Sequence, residues 1–344
     1  MKDSTVRFGL IGFGAWGSHH ARAITEASGA ELAAISARSP ESQAAARSAH
    51  PGVPVLADFQ ELLRREDIEA VSIAVPTHLH REITVAALQA GKAVLLEKPM
   101  AATLDDCQSI LRAAESTGRL LALGFELRLS NLWGRVQKMI AEGAIGEPHY
   151  CLIELWRKPY RPGSGGWRYD LDRVGNWILE EPIHFFDLAR WYLGGLGEPV
   201  AVTARAKARN PDQPGLADNF SALLDFPGGG YAVISQTLAA FEHHQVAKVT
   251  GSSGSLWASW SGAMDRTFTP TFSLKHHDGT TVREIDCGGP AGEVFELVRE
   301  IECVARAIRT GSPLHATAHD GWWAVRMCLL AAESALHGEK KSLT

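Results

Sequence analysis

The first third of the chain alternates short apolar runs with amphipathic stretches that have helical spacing. Apolar runs without polar alternation predict strands that are covered on both faces of a sheet. Five such strands are predicted, at residues 6–11, 31–36, 70–75, 93–96 and 120–125. Helices are predicted between them, at 18–24, 41–50, 58–63, 81–90 and 103–117. Strands that alternate with helices indicate an α/β fold with a doubly wound parallel sheet.

The second part of the chain has a different pattern, in which apolar and polar residues alternate along strands separated by Gly/Pro turns. This alternation predicts an α+β domain with a large, open and mostly antiparallel sheet. We expect domains at residues 1–124 and 125–344, with the last helix packing back near the first domain. Helices on one face of a broad sheet leave the other face to be covered, which favours a homodimer or homotetramer built through this sheet.

A glycine-rich turn joins the first predicted strand to the first helix, in the pattern G-x-G-x-x-G. In a strand–turn–helix context these glycines permit a tight turn and a close approach to a pyrophosphate, which the helix N-terminus binds. The pattern predicts dinucleotide binding, and the alternative is a merely tight turn. For His19 and His20, which follow the turn, we expect packing roles. The loop residues are Gly12, Phe13, Gly14, Ala15, Trp16 and Gly17.

The end of the second strand indicates which dinucleotide is preferred. An NAD site usually carries an acidic residue there, but this chain has Ala37, followed by Arg38 and Ser39. An arginine can pair with the 2′-phosphate of NADP, and no carboxylate repels it. We therefore predict binding of NADP in preference to NAD. The alternative is that Arg38 stacks on adenine without discriminating between the two.

The fourth strand ends abruptly in Glu97, Lys98 and Pro99. Ligands of open α/β sheets bind outside the carboxyl ends of the strands, so a lysine there is a candidate for chemistry. The alternative is an ion pair that faces solvent. The preceding strand ends in the loop 76–80 at the same edge, and we expect Pro76, Thr77 and His80, together with Glu97 and Lys98, to contact the cofactor.

Composition and charge exclude several classes of protein. Hydrophobic residues make up 45% of the 344 residues, which predicts a sizeable core. A net charge of −5 without a basic run argues against a nucleic-acid or membrane surface. Five scattered cysteines without C-x-x-C spacing suggest neither disulfides nor a metal site. With no signal-peptide pattern, a cytoplasmic protein is expected.

Together these segments resemble the Gfo/Idh/MocA family of oxidoreductases. The resemblance implies an N-terminal Rossmann domain, a nicotinamide cofactor, and catalytic roles for Lys98 and His184. The chain departs from the family pattern at Thr77, where asparagine is usual, and at Glu180, where aspartate is usual. Glu181-Pro182 also replaces small residues. The matching segments are 12–17, 76–80, 97–99, 124–128, 183–187 and 251–255.

A loop rich in arginine, aromatic residues and glycine precedes His184 and is our candidate for substrate recognition. Aromatic faces pack against sugar rings, and arginines bind carboxylate or phosphate oxygens. The alternative is that its aromatic side chains pack against the sheet or form a subunit contact. The expected substrate-binding residues are Arg128, Trp156, Arg157, Tyr160, Arg168 and Trp177.

The resulting hypothesis is hydride transfer between NADP and a hydroxyl-bearing carbon of a sugar, sugar acid or polyol. His184 would act as acid/base, Lys98 would stabilise the oxygen, and Glu180 would tune His184 or bind a second hydroxyl. Three alternatives stay open: an NAD-dependent glycosidase, a non-catalytic sugar sensor, and an imine or amino-compound reductase. The last rests on Glu180 and Glu181, which could attract a cationic substrate.

Overall fold

The structure, a computed structural model, describes residues 5–344, with the backbone alone described at Ser164. It divides into two compact units. The first comprises residues up to Glu126 together with Glu296–Trp322, and the second comprises Leu127–Phe295 and Trp323–Thr344. The segment Glu296–Trp322 therefore returns to the first unit after the second has been traversed.

The first unit is built on a six-stranded parallel sheet, which confirms the predicted α/β fold. Its strand order, β3-β2-β1-β4-β5-β6, is that of a doubly wound dinucleotide-binding fold. The strands are β1 Val6–Ile11, β2 Ala30–Ser36, β3 Val55–Leu56, β4 Ala70–Ile73, β5 Ala93–Glu97 and β6 Leu121–Gly124. The helices are α1 Gly17–Glu26, α2 Pro40–Ala49, α3 Phe59–Leu63, α4 His80–Gln89 and α5 Leu104–Thr117.

Side-chain caps fix where several of these helices begin. Asp58 accepts a hydrogen bond from the Gln60 amide at 2.9 Å, and Thr103 accepts one from the Asp106 amide at 3.2 Å. Such caps satisfy amides that have no partner within the helix. The apolar runs between them fill the core, so that Phe8 and Leu95 are fully buried.

The second unit is built on a nine-stranded sheet in which β7 and β10 form the parallel pair and the other pairings are antiparallel. Its order is β14-β13-β12-β11-β7-β10-β9-β8-β15. The strands are β7 Pro148–Arg157, β8 Ala201–Ala208, β9 Ala217–Asp225, β10 Tyr231–Thr237, β11 His243–Gly251, β12 Ser255–Gly262, β13 Thr271–His277, β14 Val282–Glu284 and β15 Lys341–Ser342. The helices are α6 Trp133–Ala141, α7 Leu171–Val174 and α8 Pro182–Tyr192.

Two long helices complete the chain, α9 Glu293–Thr310 and α10 Ala318–His337. The α9 side chains Leu297, Ile301 and Val304 belong to the same buried cluster as Val6 and Phe8 of β1. Helix α9 thus supplies part of the core of the first unit. Among the described residues, no helix is long and apolar enough to span a bilayer.

Candidate functional site

The glycine-rich loop lies between β1 and α1, and its three glycines serve different purposes. Gly12 has φ +101°, and a Cβ there would collide with the carbonyl oxygen of Ala74. A Cβ on Gly17 would collide with the carbonyl oxygen of Gly12. Gly14, by contrast, has no atom within 4 Å of its Cβ position other than its own and those of its two chain neighbours. The first and last glycines therefore allow the tight turn, while the middle one leaves open space where a ligand can approach the backbone.

The start of helix α1 is suited to an anion. Trp16 provides no side-chain cap, and of the described residues in the first turn of the helix none is acidic. The helix macrodipole places partial positive charge at this end. Together with the open space at Gly14, this arrangement fits the diphosphate of a dinucleotide.

Of the remaining loop residues, some pack within the protein and others are exposed. Phe13 is buried with its ring edge-on to His50, 5.9 Å between centroids, and Trp16 lies edge-on to His20 at 5.8 Å. Ala15, like Gly14, is exposed. The two aromatic rings therefore support the loop, and Gly14 and Ala15 form its accessible rim.

The predicted 2′-phosphate site follows β2. Ala37 is buried, and the Ser39 hydroxyl accepts a hydrogen bond from the Ser42 amide at 3.1 Å as the cap of α2. Arg38 is exposed. Because Ser39 already caps a helix, Arg38 is the residue here that can contribute charge to a ligand.

The loop after β4 is tied to the end of β5 by His80. Its Nδ1 lies 2.7 Å from the Pro99 carbonyl oxygen, and its Nε2 lies 2.9 Å from that of Val75. Burial lowers the pKa of His80. Thr77 is also buried, in a short 3₁₀ turn that follows Pro76. His80 thus links two loops at the carboxyl edge of the sheet, and both of its ring nitrogens are engaged with the protein.

Lys98 is half-buried at the end of β5, but Glu97 beside it is only 4% exposed. The Glu97 carboxylate pairs with His20 at 2.8 Å, and His20 contacts the Ser72 hydroxyl at 2.9 Å. The alternative of a solvent-facing ion pair is therefore wrong for Glu97. From the sequence we expect only a packing role for His20, and Ser72 was not singled out. The available signals were a histidine three positions after Gly17 and a serine inside an apolar run.

In the second unit His184 lies in the first turn of α8 and is 3% exposed. One turn further along, Asp187 accepts two hydrogen bonds from Arg128, from Nε at 2.8 Å and from Nη2 at 2.6 Å. The Arg128 guanidinium also lies 5.3 Å from the ring centre of Trp191. Arg128 and Asp187 form a buried bidentate pair that anchors α8, so the pair orients the helix that carries His184.

The two unusual glutamates before α8 are each matched by an arginine. Glu180 accepts a hydrogen bond from Arg168 Nε at 2.7 Å, and Glu181 pairs with Arg157. Glu181 also lies 3.2 Å from Nε2 of the buried His243. These contacts supply positive charge to both carboxylates, which argues against a site that attracts a cationic substrate.

Two of the three aromatic residues that are expected to bind substrate have packing contacts within the protein. Tyr160 and Trp177 are buried in a small apolar cluster with Val174, with their rings edge-on at 5.5 Å. Trp156 is exposed, whereas its neighbour Leu155 on β7 is buried in the sheet face on which α8 packs. Side chains alternate along a strand, so Trp156 lies on the face opposite α8. A substrate role for these three rings stays a prediction.

No cluster of three or more His, Cys, Asp or Glu that could hold a metal ion occurs within residues 5–344. At the carboxyl edge of the first sheet, the structure brings together the glycine-rich loop, the loop after β4 and Lys98. In the second unit it brings Arg168 to Glu180 and Arg157 to Glu181, and the backbone amide of His184 donates a hydrogen bond to the Glu181 carbonyl oxygen at 3.0 Å.

Comparison with protein families gives two matches. Residues 6–125 match the GFO_IDH_MocA model, described as an oxidoreductase family with an NAD-binding Rossmann fold. Residues 133–257 match the model of the GFO/IDH/MocA C-terminal domain. Together the matches cover more than half of the chain.

Individual relatives extend over nearly the whole chain. Inositol 2-dehydrogenase of Rhizobium meliloti (strain 1021) is 29% identical over 344 residues, covering 99% of each chain. The 1,5-anhydro-D-fructose reductase of Ensifer adhaerens is 27% identical and covers 97% of each chain. The crystal structure of aldose-aldose oxidoreductase from Caulobacter crescentus, complexed with glycerol, has a TM-score of 0.84 at 22% identity over 98% of this chain and 100% of that one. At that identity the last comparison concerns the fold alone.

Proposed function

Because the chain belongs to the Gfo/Idh/MocA family of NAD-binding oxidoreductases, we propose that it transfers a hydride between NADP and a hydroxyl-bearing carbon of a sugar, sugar acid or polyol. The observation that carries the proposal is the arrangement of residues at the carboxyl edge of the first sheet. At this edge Lys98 follows strand β5. The last residue of β5, Glu97, is hydrogen-bonded to His20 of α1, the helix that follows the glycine-rich loop. The names of the relatives above support a sugar or polyol as the substrate.

The glycine-rich loop and the N-terminus of α1 would hold the diphosphate, and Arg38 would pair with the 2′-phosphate. A bound nicotinamide would supply the hydride acceptor for oxidation and the hydride donor for reduction. His184 takes the proton of the substrate hydroxyl during oxidation and returns it during reduction. Lys98 donates a hydrogen bond to the substrate oxygen and stabilises the negative charge that develops there. Glu180, which Arg168 holds in place, tunes His184 or binds a second hydroxyl.

The cofactor preference is tested by the variant Arg38→Ala. We expect the Kd for NADP to rise about tenfold, equivalent to about 1.4 kcal/mol, while the Kd for NAD changes less than about twofold. The reason is that Arg38 would interact with the 2′-phosphate, a group that NAD lacks. Fluorescence titration measures both constants.

The control for this titration is Arg47→Ala, which removes another exposed arginine from the same region, on α2. It should leave both constants unchanged. Equal affinity of the wild-type protein for NAD and NADP would refute the preference.

The reaction itself is tested by following NADPH fluorescence with sugars, sugar acids, inositols and amines, using both NAD and NADP. Oxidation or reduction of a carbohydrate or polyol is the expected result. Release of an aglycone without net NADPH formation would indicate a glycosidase, and turnover of amines alone would indicate an imine or amine reductase. Saturable sugar binding without turnover would indicate a sensor. Each of these three outcomes contradicts the proposal.

We further propose that a second copy of this chain covers the outer face of the nine-stranded sheet. Neighbouring strands place a row of side chains across that face, in which Val233 pairs with Leu223 and Leu152, and Lys248 pairs with Leu152 and Trp257. Trp257 is 51% exposed. Self-pairing of one face is the commonest way in which soluble chains form dimers.

The substitution Trp257→Glu tests this contact, because it would replace an exposed aromatic ring of this row by a charged carboxylate. Sedimentation analysis is expected to show a dimer or tetramer for the wild type and a shift towards monomer for the variant. Leu336→Glu, which changes an exposed leucine of α10, should leave the assembly intact. A monomeric wild type would disprove the assembly.

A further inference from the structure

Three buried polar side chains from three separate elements meet beneath Lys98. Ser72 comes from β4, His20 from α1 and Glu97 from the end of β5. Ser72 and His20 are 0% exposed. The imidazole of His20 connects the other two, with Nδ1 at 2.9 Å from the Ser72 hydroxyl and Nε2 at 2.8 Å from Glu97 Oε1. We call this group the Ser72–His20–Glu97 relay.

The chemistry of the carboxylate fixes the direction of the hydrogen bond between His20 and Glu97. An ionised carboxylate can only accept, so Nε2 of His20 donates to Glu97. In a neutral imidazole Nδ1 then accepts, and the Ser72 hydroxyl donates to it. Burial by itself raises the pKa of Glu97, but the hydrogen bond from His20 and the nearby charge of Lys98 bring it below the ordinary value. Glu97 therefore remains a carboxylate at neutral pH.

The carboxylate of Glu97 is also connected to both functional segments of the first unit. Its Oε2 accepts a hydrogen bond from the backbone amide of Lys98 at 3.2 Å. The Trp16 side chain, from the glycine-rich loop, also donates a hydrogen bond to Glu97 and lies edge-on to His20. On the other side, a Cβ at Gly124 would come within 3.0 Å of Glu97 Oε1. The pocket is thus closely fitted around the carboxylate.

A serine, a histidine and a carboxylate in sequence would also suit a nucleophile, but this serine cannot act as one. Ser72 lies inside the parallel sheet, paired on both sides with Leu10 and Leu95, and has no exposed surface. A nucleophile must reach its substrate. We therefore infer that the relay acts on the residues that Glu97 contacts.

We propose that His20 is a positioning residue for the reaction proposed above: through Glu97 it holds the backbone of Lys98 and the glycine-rich loop in one fixed arrangement. The expected effect of His20 on turnover rests on the proposed function. The expected effect of His20 on the backbone rests on the contacts of Glu97. A displacement of about 1 Å in a catalytic group can cost about 10²-fold in rate.

Two amide substitutions test the two ring nitrogens of His20 separately. In His20→Gln the side-chain amide reaches the position of Nε2 and can still donate to Glu97. In His20→Asn it reaches the position of Nδ1 and loses Glu97. We expect His20→Asn to lower kcat about 10- to 100-fold with the KM for NADPH within about threefold of wild type, and His20→Gln to recover most of the loss.

Hydrogen–deuterium exchange gives a readout that does not depend on turnover. In His20→Asn, peptides that contain residues 12–17 and 97–98 are expected to exchange faster than in wild type, and in His20→Gln they are not. If His20→Asn does not fold, Glu97→Gln, which keeps the size of the side chain but removes its charge, is expected to raise exchange in the same two peptides.

Unchanged exchange in these peptides, or equal kcat in both His20 variants, would overturn the positioning role of His20. The proposed function would be unaffected. A wild type without turnover on any substrate would overturn the proposed function, and the exchange experiment would still decide whether the relay holds the loop and Lys98 together.

Discussion

Replacing Lys98 by methionine is expected to lower kcat by about 10²–10³-fold, while the Kd for NADPH stays within about threefold of the wild-type value. Methionine has a similar length but cannot donate a hydrogen bond to the reacting oxygen. Glu97 keeps its bond to His20 in this variant, so the end of β5 should remain in place. Stopped-flow absorbance with the substrate from the screen measures kcat, and fluorescence titration measures cofactor binding.

The matched control is Lys138→Met, which removes an exposed lysine from α6. It should leave both quantities unchanged. If Lys98→Met retained normal turnover, Lys98 would have no part in the chemistry. If the variant instead lost NADPH binding as well, the loss of the cofactor would account for the lost turnover, and the result would not support a role of Lys98 at the reacting oxygen.

Replacing His184 by glutamine is expected to lower kcat by about 10²–10⁴-fold, which is the usual contribution of a general acid or base. Glutamine can donate and accept hydrogen bonds but cannot take up a proton at neutral pH. Because the pair of Arg128 and Asp187 anchors α8, we expect the helix itself to stay folded. Steady-state kinetics measure the loss, and the thermal midpoint reports on the fold.

His337→Gln serves as the control, since His337 is exposed at the end of α10. Its kinetics should match the wild type. Turnover by His184→Gln within about threefold of wild type would mean that another group carries the proton.

The parallel sheet could be predicted closely because its strands are marked by uninterrupted apolar runs. Val6–Ile11 was predicted with the bounds that the structure shows, and Ala70 and Ala93 were correctly predicted to begin β4 and β5. The two-residue strands Val55–Leu56 and Lys341–Ser342 were missed. A segment of two residues has no periodicity from which a strand can be inferred.

The partners of charged side chains could not be predicted, because they lie far apart in sequence. Arg128 was expected to bind substrate, yet it pairs with Asp187, 59 residues away. Glu180 and Glu181 suggested a negative site until Arg168 and Arg157 were placed beside them. The sequence shows which charges are present, whereas the tertiary fold decides which of them neutralise each other.

The segment Glu296–Trp322 has a consequence for how the protein is made. The core of the first unit contains Leu297, Ile301 and Val304, which are synthesised only after the whole nine-stranded sheet apart from its final strand. At an elongation rate of about 5–20 residues per second, roughly 10–35 s pass between β6 and Leu297 on the ribosome. During that interval the nascent dinucleotide-binding unit exposes the apolar surface that α9 will cover. The period in which it needs protection from aggregation is therefore set by the length of the inserted second unit.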